Sequence, residues 1–157
     1  ALNDNQKLNI DGDVVNVYHT PGHTDDSICF HTGNFLISGD TLFNGTVGNC
    51  FSGNQHNFYL SIKRLLILPD ETIIYAGHDY IMDSLAFARH LEPDNKDIDF
   101  FLDQYHSRAA VYSTMAEEHK INPYLRFNDP RIIAILKKNN LPHASERDRW
   151  NSLMSIE

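Results

Sequence analysis

The sequence has few cysteines and no long apolar run, and these shortages exclude several classes of protein. Its two cysteines, Cys29 and Cys50, lie in no CxxC pair and in no other zinc-ribbon spacing. No apolar run approaches the roughly 20 residues that span a bilayer, and no basic stretch followed by an apolar one opens the chain. We therefore expect a protein of the reducing cytoplasm that is neither exported nor bound to a membrane.

Positive charge is also scarce. The chain has 13 lysines and arginines against 21 aspartates and glutamates, a formal net charge of -8. Because nucleic-acid binding depends on cations that neutralise phosphates, nucleic acid is a poor candidate partner. With 41% apolar and 22% charged residues, the composition is that of a compact folded chain, either one domain or one domain with a small appendage.

The first half of the sequence predicts short strands and one helix. Strand-like runs separated by tight turns occur at 14–17, 27–30, 35–37 and 72–75. Before the last of these runs, Phe58, Ile62 and Leu65 fall at helical spacing. The layout predicts a β-rich segment up to about Tyr80.

The second half of the sequence predicts helices. Beyond Asp83 the strand signals vanish and the apolar clusters take helical spacing. Capping residues mark three helix starts: Thr114 with Glu117, Asp129 with Pro130, and Ser145 with Asp148. We therefore predict a helical segment that covers the β-rich segment as a lid.

Three residues with the chemistry of metal ligands follow predicted strands. His23 lies in TPGHT, Asp40 in SGDTLF and His78 in AGHDY, each beside a glycine that permits a sharp turn. Imidazole and carboxylate groups suit zinc, iron or manganese, and strands of one sheet would deliver their ends to a common rim. Taken singly, each residue is more often a turn residue than a ligand.

Five strings carry a resemblance to a known family: TPGHTDDSICF, SGDTLF, YAGHDY, LAFARHLEPDN and INPYLR. From about Asp11 to Arg126, and more weakly to the end, the chain resembles glyoxalase II, the hydroxyacylglutathione hydrolases of the metallo-β-lactamase superfamily. TPGHT and GDTLF indicate the superfamily, whereas EPDN and NPYLR indicate glyoxalase II itself. The resemblance is to the C-terminal portion of that family.

The resemblance implies a role for each candidate ligand. His23 would ligate the first of two divalent metal ions, Asp40 would bridge both ions and the hydroxide, and His78 would ligate the second. Zinc is the expected metal, with iron or manganese as alternatives. The family's other ligands lie in an HxHxDH motif that these residues lack. We therefore expect an incomplete site, which binds metal weakly or not at all in this chain alone.

The resemblance also implies a small-molecule thioester substrate, S-D-lactoylglutathione, which is hydrolysed to D-lactate and glutathione. Tyr80 matches a family residue of the glutathione site, and Arg147 stands where a lysine is usual. Asn49 and Phe51 lie in the loop where the family has a lysine or arginine and often a tyrosine. These four are the predicted substrate-binding residues, with the weakest match at Asn49 and Phe51.

The implied fold is α+β: the second half of an αββα metallo-β-lactamase sandwich followed by a helical C-terminal domain. We expect residues 1–81 to form the C-terminal half of the metallo-β-lactamase domain and residues 82–157 to form the helical, substrate-covering domain. The missing N-terminal half of the first domain is then the expected partner. Two alternatives stay open. One is a persulfide dioxygenase-like enzyme with one iron, although that branch has a short C-terminus, and the other is a non-catalytic interaction module that retains relics of an enzyme ancestor.

Overall fold

The computed structural model describes residues 1–156 and confirms the mixed α and β class. The strands predicted from the sequence are present, and shorter strands accompany them. The strands are β1 (Lys7–Ile10), β2 (Asp13–His19), β3 (Ile28–Thr32), β4 (Phe35–Gly39), β5 (Leu42–Phe43), β6 (Thr46–Val47), β7 (Ile73–Ala76) and β8 (Ser113–Thr114).

Six strands form one sheet in the order β1-β2-β3-β4-β7-β8. The first four form an antiparallel meander, β4 pairs with β7 in parallel, and β8 pairs antiparallel with β7. A parallel pair needs a crossover connection, and the predicted helix, α1 (Gln55–Leu65), lies within it. β5 and β6 form a separate two-stranded hairpin in the same crossover.

The second half of the described chain is mainly helical, as predicted. Its helices are α2 (Ile81–Leu91), α3 (Lys96–Tyr105), α4 (Met115–Ile121), α5 (Pro130–Lys138) and α6 (Glu146–Met154). All three predicted caps are present: Thr114 and Ser145 form capping boxes, and Asp129 caps a helix with Pro130 in its first turn. Of the helices within residues 1–156, none is long and apolar enough to cross a membrane.

One expectation for the second half is wrong, because it contains a strand beyond Asp83. Ser113 and Thr114 form β8, where they pair with Ile74 and Ile73 of β7. Two residues are too few to carry an alternating apolar pattern. This strand is formed by its long-range pairing with β7, which no local signal in the sequence reports.

The buried core lies on one face of the sheet and takes side chains from both halves of the chain. Cys29, Leu36 and Ile74 of the sheet are fully buried and belong to one cluster with Phe58 of α1 and Trp150 of α6. The rings of Phe58 and Trp150 meet edge to face, with 5.5 Å between their centroids. The helical segment therefore packs on the same core as the sheet, and the domain boundary after residue 81 stays a prediction.

The opposite face of the sheet is apolar and exposed. Phe30, Ile37 and Tyr75 are neighbours on β3, β4 and β7, and Phe35 stacks on Tyr75 with 6.2 Å between ring centroids. Ile37 is 52% exposed and Phe35 41%. Contiguous apolar surface of this kind usually marks an interaction site in a soluble protein.

Candidate metal site and adjoining cavity

The three predicted ligands follow strands that run in the same direction. β2 and β4 both pair antiparallel with β3, and β7 is parallel to β4. The carboxyl ends of β2, β4 and β7 therefore lie at the same edge of the sheet. His23, Asp40 and His78 come shortly after these three ends, which explains why residues far apart in sequence meet at one place.

Asp40 lies between two imidazoles. Its Oδ1 is 3.0 Å from His78 Nδ1, and its Oδ2 is 3.5 Å from His23 Nε2. Each carboxylate oxygen thus faces a different ring. All three predicted ligands are brought together, and His78 is the most open to solvent of the three.

The backbone of Asn49 fixes the orientation of His23. Nδ1 of His23 donates to the Asn49 carbonyl oxygen at 3.0 Å, because a carbonyl accepts only. In a neutral ring the lone pair is then on Nε2, the nitrogen that faces Asp40. Metal-ligating histidines commonly have their other nitrogen held in this way.

Two glycines allow the close approach of the loops that carry the ligands. A Cβ atom at Gly77 would overlap Oδ1 of Asp40. One at Gly48 would overlap the backbone oxygen of Asp40 and lie 3.1 Å from His23 Nδ1. Glycine is required at both positions because any side chain would displace Asp40.

Two buried hydroxyls join the first two ligand loops beneath the site. Thr20 of TPGHT lies 2.9 Å from Thr41 of GDTLF, oxygen to oxygen, and both side chains are buried. Thr20 also lies 3.3 Å from the thiol of Cys29, whose pKa is raised by burial. The threonines of both strings are therefore structural, because their contact fixes the spacing between His23 and Asp40.

A cavity of about 390 Å³ lies beside His78. Phe43 and Tyr80 line it, and both also contact His78: the Tyr80 ring stacks on the imidazole at 5.4 Å between centroids, and the Phe43 ring lies 6.1 Å away. Asn49 lines the same cavity. The cavity and the ligand cluster are therefore contiguous and share an aromatic wall.

The predicted substrate-binding residues fall into two groups. Tyr80 and Asn49 line the cavity. Phe51 does not: its ring is 73% exposed and meets His23 edge to face at 5.0 Å between centroids. Arg147 is exposed on α6 and does not line the cavity.

A buried carboxylate that the sequence interpretation missed supports one wall of the cavity. Glu118 accepts hydrogen bonds from Gly45 N at 3.0 Å, from the Ser113 hydroxyl at 2.6 Å and from the Asn122 amide at 2.7 Å. Burial raises the pKa of the Glu118 carboxyl to about 7, although these donors oppose the shift. Gly45 lies in the β5–β6 hairpin, so Glu118 ties that hairpin to α4.

A signal for Glu118 was present in the sequence. Met115, Glu118 and Ile121 are spaced three apart, which puts the acid on the apolar face of α4. All three are buried. An acid in the apolar register of a short helix indicates a buried polar contact. Asp83, the other missed residue, lines the cavity from the first turn of α2, and no feature of the sequence indicates this.

The donors present fit a divalent metal in chemistry but not in number. Imidazole and carboxylate are ligands for zinc, iron or manganese, and Asp40 faces both imidazoles. Within residues 1–156, however, no group of three or more His, Cys, Asp and Glu side chains is arranged to hold a metal ion. The three predicted ligands instead form two pairs, His23 with Asp40 and His78 with Asp40.

Comparison with known proteins assigns both halves of the chain. Residues 5–78 match the metallo-β-lactamase superfamily, and residues 79–154 match the hydroxyacylglutathione hydrolase C-terminus. A hydroxyacylglutathione hydrolase of Klebsiella pneumoniae subsp. pneumoniae is 34% identical over 159 residues, which cover 96% of this chain and 62% of that relative. One from Chromohalobacter salexigens is 36% identical over 144 residues, which cover 87% of this chain and 56% of that relative.

Solved structures agree on the fold. The crystal structure of ETHE1 from Myxococcus xanthus superposes with a TM-score of 0.62 at 25% identity, over 99% of this chain and 51% of that one. A metallo-β-lactamase from Staphylococcus aureus gives a TM-score of 0.58 at 21% identity, over 96% of this chain and 43% of that one. This chain spans about three fifths of the length of the curated relatives named above. It belongs to the metallo-β-lactamase superfamily and, within it, to the hydroxyacylglutathione hydrolase family, whose C-terminal portion it matches.

Proposed function

We propose that this chain carries part of the metal site of a metal-dependent thioester hydrolase that resembles hydroxyacylglutathione hydrolase. Water adds to the thioester carbonyl, the acyl C–S bond breaks and a C–O bond forms, so that S-D-lactoylglutathione yields D-lactate and glutathione. The observation that carries the proposal is the meeting of His23, Asp40 and His78 at one sheet edge, beside a cavity of about 390 Å³.

The residues of the chain have separate tasks in this proposal. Asp40 orients both imidazoles, and the Asn49 carbonyl keeps the Nε2 lone pair of His23 directed into the site. Tyr80 forms the wall between His78 and the cavity, so a carrier bound in the cavity has its thioester end beside the ligands. When bound, two divalent ions would supply a Lewis acid and acidify water. Zinc is the expected metal, with iron or manganese as alternatives.

The remaining ligands are proposed to come from the N-terminal half of the same domain, in an HxHxDH segment. We use "complete protein" below for these residues joined to such a segment. Tyr80, Asn49, Phe51 and Arg147 remain the proposed substrate contacts. A reducing, cytoplasmic setting also remains part of the proposal, and it agrees with Cys29 and Cys50 being free.

The proposal is tested by assaying the complete protein for hydrolysis of S-D-lactoylglutathione after loading with zinc, iron or manganese. We expect release of free thiol that depends on the metal. The coding sequence immediately before Ala1 is a second check. An HxHxDH motif there supports the enzyme, whereas an initiator codon there favours an interaction module. Intact lactoylglutathione at every metal loading would contradict glutathione as the carrier, and failure to hydrolyse any lactoyl thioester would contradict the hydrolase function.

A second candidate is a persulfide dioxygenase-like enzyme with one iron. The superposition on ETHE1, which covers 99% of this chain, keeps it open. The two candidates differ in what they consume. An iron-loaded complete protein that takes up oxygen with glutathione persulfide and leaves lactoylglutathione intact would replace the hydrolase by this candidate.

A further inference from the structure

Aromatic side chains line the cavity beside His78, and the charged residue in its lining is an acid. Phe43 and Tyr80 meet edge to face at 5.1 Å between centroids, and Phe87 and Tyr124 stack at 5.9 Å. Such a surface binds flat or aliphatic groups and gives a charged group no compensation for the water it loses.

Asp83 is the one charged residue among the described residues that line this cavity. It lies in the first turn of α2 and is exposed, so its carboxylate is solvated. The polar neighbours that complete the lining, among them Asn49 and Ser84, are neutral. No lysine or arginine within residues 1–156 lines the cavity, and Arg147 lies elsewhere on α6.

From this lining we infer that the cavity selects thioesters whose carrier is neutral where it enters the cavity, and that Asp83 excludes carriers with a carboxylate there. The inference rests on the proposed hydrolase function and adds the class of carrier. A carboxylate in this cavity would meet a like charge and no cation. A neutral amide-bearing chain would keep the aromatic contacts and could pair with Asn49 or Ser84.

The test uses two matched carriers that differ only by a carboxylate in place of one hydrogen: N-propionylcysteamine and N-succinylcysteamine. Their D-lactoyl thioesters are assayed with the complete protein, and lactoylglutathione is assayed as the reference for the hydrolase function. Binding of the two S-methyl carriers to residues 1–157 without metal is measured by calorimetry. The binding measurement does not depend on catalysis, so it decides the carrier class even in an inactive chain.

We expect the neutral carrier to be preferred in both measurements. Asp83→Asn should reduce that preference by a factor on the order of three, because one like-charge contact in a solvated site is removed. Asp83→Lys should reverse the preference, with a change of about tenfold or more relative to the unsubstituted protein. Asp103→Asn is the matched control, because Asp103 is exposed on α3 and does not line the cavity. It should keep the original preference.

Several results would overturn the inference and leave the hydrolase function standing. The first is hydrolysis of lactoylglutathione together with a preference for the succinyl carrier. The second is a preference that Asp83→Asn and Asp83→Lys do not change. Weaker binding of glutathione compounds in Asp83→Asn would also overturn it, since Asp83 would then bind their ammonium group. Failure to hydrolyse any of the three thioesters would instead contradict the hydrolase function, and the calorimetric comparison would still decide the carrier class.

Discussion

Asp40 is the member of the three predicted ligands that contacts both of the others, since each of its oxygens faces an imidazole. Asp26 is the natural comparison, because it lies in the same TPGHTDD region yet accepts its hydrogen bond from the nearby Thr24 hydroxyl, at 2.7 Å. The two aspartates therefore separate a role in the metal site from a role in local loop structure.

We expect Asp40→Asn in the complete protein to lower metal content and thioester hydrolysis far more than Asp26→Asn. The amide keeps the shape of the side chain but loses the charge that offsets two dications, so the second ion should leave first. Metal analysis by mass spectrometry and a thiol-release assay on the same samples measure both effects. Full metal and full activity in both variants would show that the ligand assignment is wrong.

Asn49 contributes its backbone to the site and its side chain to the cavity. A substitution there can alter the cavity and leave the carbonyl that holds His23 in place. Asn49→Lys should therefore lower KM for glutathione thioesters by roughly tenfold, because a charge-assisted hydrogen bond to a carboxylate contributes about 1.5–3 kcal/mol. Steady-state kinetics on the complete protein with lactoylglutathione measure the change. An unaltered KM would mean that the glutathione carboxylates do not reach this loop.

How far the sequence predicts the site depends on where each residue lies. The meeting of His23, Asp40 and His78 was predictable because each follows a strand and stands beside a glycine, and the directions of β2, β4 and β7 bring the three together. Asp83 was not, because its place in the cavity depends on how α2 packs against the β5–β6 hairpin. That packing joins segments far apart in the chain, and no local pattern encodes it.

Two strings that indicated glyoxalase II meet in one buried ion pair between elements. Glu92 of EPDN, at the end of α2, pairs with Arg126 of NPYLR, and both are almost fully buried. Arg126 also donates to Asp129, the cap of α5, at 2.6 Å. The strings are thus structural, since removing Arg126 would leave the buried carboxylate of Glu92 without its close cation, at a cost of about 3–5 kcal/mol.

Helix α4 and the β5–β6 hairpin depend on the protonation state of Glu118. Its pKa in the folded protein is about 7, against an ordinary value of 4.5. Between these values the folded protein keeps the proton that the unfolded chain has released. The contribution of this group to stability is therefore fully present below pH 4.5 and is lost as pH rises through about 7.

We expect the free energy of unfolding to fall by up to about 3 kcal/mol from this group between pH 5 and pH 8. Glu118→Gln should remove that part of the pH dependence, because glutamine does not titrate. Glu71→Gln is the control, since Glu71 is exposed. Urea unfolding at pH 5 and at pH 8 measures the change in the free energy of unfolding. An equal change in the unsubstituted chain and in Glu118→Gln would contradict the assignment. The acids whose pKa is lowered act below this interval; they are Asp4, Asp129, Glu146 and Asp148.

The whole chain presents an apolar sheet face on one side and a packed core on the other. We expect residues 1–157 on their own to self-associate and to bind an apolar dye, because Phe35 and Ile37 on that face are exposed. Ile37→Asp should reduce both effects. Ile67→Asp, at an 83% exposed position after α1, should not. A monomer with a sharp thermal transition and no dye binding would indicate a self-sufficient fold.

The number of metal ions bound per chain tests the central claim, that these residues hold one part of a dinuclear site. Residues 1–157 and the complete protein are loaded with zinc, dialysed side by side and analysed for metal by mass spectrometry. We predict two ions per molecule of complete protein and much less than one per molecule of residues 1–157, because His23, Asp40 and His78 offer too few donors for two dications. Two tightly held ions on residues 1–157 alone, or none on the complete protein, would contradict it.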